Sequence, residues 1–264
     1  MVNVEPRSEH VPESVIVEQI DGVQVITINR PEARNAINAA VTGAVAAAVD
    51  ELDQRADLTL GIITGAGGSF CAGMDLKAFL AGEDMTLPGR GLAGIVQRPP
   101  RKPMIAAVEG WALAGGFEIA LTCDLIVAAE DAQFGLPEVK RGLVAAAGGL
   151  LRLPQRIPPA IAMRLALTGE PLSAAEASRL GLVNELTAPG GALAGALDLA
   201  RRITANGPLA VQITKQIMVQ AAEESVAAGF ERQQPLVAQI MTSADAREGA
   251  AAFAEKRRPA WTGR

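Results

Sequence analysis

The sequence predicts an α/β core followed by a helical appendage. Three observations carry this reading: β-rich apolar runs alternate with helical stretches up to about residue 186, glycine-rich bends punctuate that part, and strand signals cease beyond it. About half of the 264 residues are apolar (49%), enough for one large domain with a substantial core.

Taken in order, Val15 to Gln19 and Val23 to Ile28 are strand-like runs around Asp21-Gly22, a hairpin signal. After Asn29-Arg30-Pro31, Asn38 caps an Ala-rich helix to about Arg55, and Leu60 to Thr64 reads as a buried strand entering Gly65-Ala-Gly-Gly68. Met104 to Val108 is a further strand, Gly115-Gly116 breaks the chain, Phe117 to Cys123 is a short helix with Glu118 in its first turn, and Leu125 to Ala129 is another strand. Ser173-Ala-Ala-Glu176 has the capping-box pattern before Ala177 to Leu180, and Val183 to Leu186 makes a last strand. Helical patterns follow at Leu193 to Ala205, from Pro208, at Ser225 to Met241 and at Ala244 to Glu255. The expected organisation is a flexible polar tail over 1–14, a core with the active site over 15–200, and a helical region over 201–264.

Composition excludes several classes. A net charge of -5 without a broad Lys/Arg run argues against nucleic acid as the partner. The longest apolar stretch, Met104 to Ala129, is interrupted by Glu109, Glu118 and Asp124, so it reads as core rather than as a membrane span. Cys71 and Cys123 fit reduced thiols in a cytoplasm. His10 is the single histidine and lies in the tail, which leaves none for a Ser-His-Asp triad or a zinc site. Proton transfer therefore falls to carboxylates or lysines, and no metal is expected.

Three glycine-flanked segments remain. Gly65-Ala-Gly67-Gly68-Ser69-Phe70 fails both common phosphate-loop patterns, because Phe70 stands at the third-glycine position and no Gly-Lys-Ser/Thr follows. Phe70-Cys-Ala-Gly73-Met74-Asp75, Trp111-Ala-Leu-Ala-Gly115-Gly116-Phe-Glu118 and Phe134-Gly-Leu-Pro137-Glu138 combine backbone that comes close only at glycine with two acids among apolar residues. Glu118 has an alternative reading as a partner of the helix dipole, and Glu138 as a surface residue at a helix start. Together they point to acid/base chemistry on a substrate that develops negative charge, stabilised by free N–H groups at a helix N-terminus.

Gly73-Met74-Asp75, Gly115-Gly116-Phe117-Glu118 and Phe134-Gly-Leu-Pro137-Glu138, in this order and spacing, resemble the crotonase superfamily, and enoyl-CoA hydratases in particular. The resemblance extends from Val25-Ile-Thr-Ile-Asn-Arg-Pro31 with Asn35-Ala36, through Leu167-Thr-Gly169 and Gly181-Leu-Val-Asn184, to Phe253-Ala-Glu-Lys-Arg257. It implies a spiral of β-β-α units with a C-terminal helical trimerisation region, assembling as a homotrimer or a hexamer built from two trimers. It implies an acyl-CoA thioester substrate, with coenzyme A as part of the substrate and no separate cofactor. The thioester oxygen would be held by the N–H groups of Met74 and Gly115, while Glu118 and Glu138 handle water and the proton at the α-carbon. Coenzyme A would lie against Arg30, Ala33, Arg34, Ala72, Asp75 and Leu76, with Trp111, Leu113 and Pro137 at the substrate and Lys256 and Arg257 reaching the nucleotide phosphate.

The reaction so implied is reversible hydration of a trans-2-enoyl-CoA to a 3-hydroxyacyl-CoA, as part of acyl-CoA and fatty-acid metabolism. An enoyl-CoA isomerase or a specialised hydroxyacyl-CoA dehydratase is the nearest alternative, and a catalytically weak acyl-CoA-binding protein the alternative of another class. One departure from the hydratase pattern is Ala145-Ala146 where many members carry Pro-Gly. Since Ala146 enters positive φ less easily than glycine, the backbone beside Glu138 is expected to take another path.

Overall fold

The structure is a computed structural model that describes residues 13–222 and 225–264. The expected tail over 1–14, apart from its last two residues, and His10 lie outside the described residues.

Two strands, β1 (Val15–Ile20) and β2 (Val23–Ile28), form the antiparallel hairpin expected around Asp21-Gly22. The helix α1 (Ala39–Gln54) follows, and the Asn38 side chain accepts a hydrogen bond from the Val41 amide at its start. Next come β3 (Leu60–Gly65), the short helix α2 (Leu76–Leu80) and a two-residue ladder of β4 (Thr86–Leu87) with β5 (Gly91–Leu92). Then β6 (Met104–Val108) and β7 (Trp111–Leu113) lead into α3 (Gly115–Thr122), followed by β8 (Leu125–Ala129) and β9 (Gln133–Gly135). The helices α4 (Gly149–Arg156) and α5 (Pro159–Thr168) precede β10 (Leu172–Ser173), α6 (Ala174–Arg179) and β11 (Glu185–Thr187). Four helices close the chain: α7 (Ala192–Thr204), α8 (Pro208–Ala221), α9 (Val226–Met241) and α10 (Ala244–Glu255).

The main sheet has the order β1-β2-β3-β6-β8-β11 and is parallel from β2 onward. Its inner strands β2, β3, β6 and β8 are buried on both faces and so carry apolar residues in both registers, whereas β1 at the edge is largely exposed. Val23, Val25, Leu60, Ile62, Ile105 and Val127 point to one face, where Ala192, Ala196 and Ala200 of α7 meet them. The four-residue spacing of these alanines puts small side chains on one helix face. Alternate residues, Ile26, Ile28, Ile63, Ala106, Val108 and Ile126, point the other way, toward α1, α3 and a second sheet.

That second sheet, β10-β9-β7, is too short to show in sequence periodicity, yet it carries the site. From the end of β7 the chain enters α3, and from the end of β9 it enters the turn that carries Glu138.

The last strand lies at Glu185–Thr187 rather than Val183 to Leu186. Its beginning is displaced because Leu182 and Val183 still bond the Ala177 carbonyl at the end of α6, while Asn184 exchanges hydrogen bonds with Ile126. The helix expected at Phe117 begins two residues earlier, at Gly115. Among the C-terminal helices, α8 is fixed to the core where Lys215 donates to Asp124 Oδ2 at 2.7 Å and to the Lys102 carbonyl at 2.9 Å. No helix among the described residues is long and apolar enough to cross a membrane.

Candidate active site

The segments around Gly73 and Gly115 lie side by side because backbone bonds them and glycines let them touch. Cys71 N–H donates to the Trp111 carbonyl at 2.9 Å, and Leu113 N–H donates back to the Cys71 carbonyl at 3.0 Å. A Cβ on Gly116 would overlap the Cys71 carbonyl oxygen, and one on Gly73 would stand 3.0 Å from the Gly115 nitrogen and 2.8 Å from the Ala114 Cβ. Gly73 also takes φ +94, a conformation that suits glycine. On its other flank the Gly73-Met74-Asp75 backbone is pinned by Ile37, which donates to the Gly73 carbonyl and accepts from the Asp75 amide.

Between β7 and α3 the chain turns through Ala114 at φ 51, ψ −128, a conformation costly for a residue with a Cβ. Its amide is held by the Gly135 carbonyl of β9 at 2.8 Å. The result brings the amides of Met74 and Gly115 close together, a Cβ on Gly115 lying 3.7 Å from the Met74 nitrogen. Among the described residues neither amide has a protein acceptor. Gly115 is the first residue of α3, where an N–H lacks an intrahelical partner and the helix dipole favours negative charge.

One turn into α3, Glu118 is buried (3% exposed), and its Oε1 accepts from the Gly149 amide at 2.8 Å. Burial pushes its carboxyl up to about 7, with the charge of Glu138 adding to the rise, against the Gly149 and Ala147 amides and Arg152. Glu138 lies in the 3₁₀ turn Pro137–Arg141 after β9 and is half-buried, and burial raises its proton affinity as well. Its Oε2 is buried without a hydrogen-bond partner among the described residues. Glu138 also borders an apolar cavity of about 410 Å³ with Leu136, Val139, Val144, Ala145 and Met163.

The Ala145-Ala146 departure is absorbed without strain at either alanine, since both keep negative φ and the positive φ falls on Gly148 at 104°. The turn thereby aims the next amide, that of Gly149, at Glu118.

The remaining expected residues divide into two groups. Leu76 (41% exposed) and Trp111 (45%) present apolar surface close to Met74 and Gly115 in sequence, Leu113 packs beside Gly135, and Pro137 opens the Glu138 turn. Ala72 donates to the carbonyl of Arg34, whose side chain is exposed, and Ala33 sits half-buried before it. Arg30, by contrast, is engaged within the chain, paired with Asp75 at 3.0 Å and donating to the Ala36 carbonyl. Asp75 in turn caps α2 by accepting from the Lys77 and Ala78 amides. Arg257 is likewise engaged, with Glu248 and Glu255, while Lys256 forms the left-handed end of α10. None of their hydrogen bonds reaches the loops of Met74 and Gly115.

The profile of the enoyl-CoA hydratase/isomerase family matches residues 18–264. The chain belongs to this family. An enoyl-CoA hydratase from Mycobacterium tuberculosis H37Rv is 60% identical and superposes with a TM-score of 0.94, covering 96% of this chain and 100% of its own. A carnitinyl-CoA hydratase from Mycobacterium avium is 45% identical with a TM-score of 0.78, over 96% of this chain and 100% of its own. A carnitinyl-CoA dehydratase of Salmonella typhi is 42% identical over 247 residues, 90% of this chain and 94% of that protein. The crotonase-like fold expected from the motifs is thus present, and an acyl-CoA thioester substrate is consistent with the enoyl-CoA hydratase/isomerase family.

Two contributors to the site escape sequence reasoning. The Gly149 amide that holds Glu118 was legible only as a Gly148-Gly149 pair, and Leu92, whose methyl lies where a Cβ of Gly115 would go, carries no local signal.

Proposed function

We propose that this protein catalyses the reversible addition of water to a trans-2-enoyl-CoA, giving a 3-hydroxyacyl-CoA. As water adds at C3, negative charge moves to the thioester oxygen, and the paired amides of Met74 and Gly115 stabilise that enolate-like state more than the neutral thioester. Glu118 holds the water and takes its proton as the oxygen–C3 bond forms. Glu138 delivers a proton to C2, and the reverse sequence eliminates water.

The observation that carries this reading is the pair of carboxyls, both raised in proton affinity by burial, one of them a single turn from the Gly115 amide. A carboxyl near 7 is protonated and ionised in comparable amounts at neutral pH, which suits reversible proton transfer. Glu118→Gln and Glu138→Gln are each expected to lower turnover of 2-butenoyl-CoA by about 100- to 10,000-fold. Full activity in either variant overturns the reading.

The relatives named carnitinyl-CoA dehydratase favour a second reading, elimination of water from a specialised hydroxyacyl-CoA by the same two acids. Comparing carnitinyl-CoA with unsubstituted 3-hydroxyacyl-CoA esters separates the two. Isomerisation of a 3-enoyl-CoA needs no bound water, and the presence of both acids weighs against it. Two acids of raised proton affinity, one buried and one half-buried, also weigh against a merely acyl-CoA-binding role.

For coenzyme A, the exposed Arg34 and Lys256 are better placed to meet phosphates than Arg30 and Arg257, which already have carboxylate partners. Assembly as a trimer or hexamer is supported by large apolar residues left exposed on the last three helices, such as Phe230 (60%), Met241 (71%) and Phe253 (87%). No cofactor beyond the coenzyme A of the substrate enters the scheme. Two free buried cysteines are in keeping with a cytoplasmic setting.

A further inference from the structure

Arg152 occupies an unusual place beside the acids. It lies on α4, and its guanidinium folds back onto Gly148, so that a Cβ there would overlap Nη1 and stand 3.3 Å from Cζ. The Arg152 amide also donates to the Gly148 carbonyl at 2.9 Å. From this seat Nη2 reaches across to the Val96 carbonyl at 2.5 Å. The next residue after Gly148 is Gly149, whose amide holds Glu118.

The far end of this link is itself rigid. Residues 90 to 97 form a compact turn, in which Arg90 donates to the Gly94 carbonyl, pairs with Asp50 at 2.6 Å and accepts from the Gln97 amide through its own carbonyl. Leu92 of the same turn abuts Gly115, the first residue of α3. One guanidinium thus joins the loop behind the oxyanion amide to the loop that orients the buried acid.

We infer that Arg152 is a positioning residue for the reaction: by clamping the Gly148-Gly149 turn to the Val96 carbonyl, it fixes the direction in which Glu118 presents its free oxygen. This rests on the hydratase reading above. It also accounts for a half-buried cation whose hydrogen bonds among the described residues satisfy only part of its five donors. The charged side chains facing Glu118 are Glu138, from the turn after β9, and Arg152, from α4, while the buried Cys123 thiol of the α3 end is pushed up to about 12 and stays neutral. Removing Arg152 leaves Glu118 with a like charge and no opposite one, so its carboxyl titrates at higher pH.

The test uses the full-length enzyme with 2-butenoyl-CoA, comparing Arg152→Gln, Arg152→Lys and Glu118→Gln over pH 5 to 9, with thermal melts of each. Misplacing a catalytic group by about 1 Å costs on the order of 100-fold, so Arg152→Gln is expected to lose about 10- to 100-fold in kcat with KM nearly unchanged. Its acidic limb is expected to move to higher pH. Arg152→Lys keeps the charge without the fork, so its limb stays while kcat recovers only in part. If Arg152→Gln keeps kcat within about twofold and the limb stays put, the positioning role is overturned. Equal losses in both Arg152 variants that track their melting temperatures, with no limb movement, overturn it as well. Should Arg152→Gln not fold, Arg152→Lys decides alone: a kcat equal to wild type overturns the proposal, and a reduced kcat with an unmoved limb supports it. Activity retained in Glu118→Gln sinks the hydratase reading instead, which keeps the two failures distinct.

Discussion

The two halves of the site are built on different physics. On the side of the Met74 and Gly115 amides, Gly73, Gly115 and Gly116 bring backbone against backbone so closely that a single Cβ collides with a neighbouring segment, and no side-chain charge is involved. On the acid side, α3 places Glu118 and a turn places Glu138; burial raises both, with Glu138 adding to the rise at Glu118 and Arg152 opposing it, while Arg141 opposes the rise at Glu138. The first half is defined by shape and the second by electrostatics. Substitutions that add a methyl should therefore damage one half, and changes of charge or pH the other.

Among changes that add or remove side-chain bulk, the largest effect should come from breaking the shape side at Gly116. A Cβ there meets the Cys71 carbonyl carbon at 2.8 Å as well as its oxygen, and both are backbone atoms that cannot swing aside. Gly116→Ala is expected to lose about 100- to 1,000-fold in kcat/KM, the range for a lost oxyanion donor, because α3 must shift away from Met74. Steady-state kinetics that show wild-type activity would show that the two strands have slack the present geometry lacks.

A smaller, pH-dependent effect sharpens the electrostatic side. The Glu118 carboxyl is raised from 4.5 to about 7, so burial favours its neutral form. Its contribution to stability is complete below about pH 4.5 and is lost as pH rises through 7. Glu118→Gln cannot ionise and is therefore expected to unfold at higher denaturant concentration than wild type at pH 8, by up to about 3 kcal/mol, with little difference at pH 4.5. Guanidinium unfolding at the two pH values measures this. A gain that does not grow with pH would mean that burial is not what tunes the acid.

The smallest effect is expected at Met74, where only the amide is required. Met74→Ala keeps the N–H and should change kcat on 2-butenoyl-CoA by less than about threefold, any larger change appearing in the preference for acyl length. A loss as large as that of Gly116→Ala would show that the Met74 side chain, half-buried against the core, holds the loop.

Much of the fold was legible because its signals are local. Asp21-Gly22 specifies a hairpin, Asn38 and Ser173 with Glu176 cap their helices as observed, and the buried strands carry continuous apolar runs. The second sheet was not legible, since strands of two or three residues have no period and pair across more than twenty positions. The helix α4 was hidden by Gly148-Gly149 at its start and Pro154 inside it, both of which read as breakers. At the site, the two acids and their glycines stood out by type and spacing, whereas the Met74 and Gly115 amides were singled out by the family resemblance. Arg152 gave no sign, because its meaning depends on Gly148 and on a carbonyl 56 positions away.

The anchoring of α8 has a mechanical consequence. Asp124, which receives Lys215, also accepts the Met104 amide at 2.7 Å and sits two residues beyond α3. A shift of α8 is therefore felt, through a part-buried ion pair, at the foot of the helix that bears Glu118. In this sense α8 is a lever on the helix of Glu118, with Lys215 as its fulcrum.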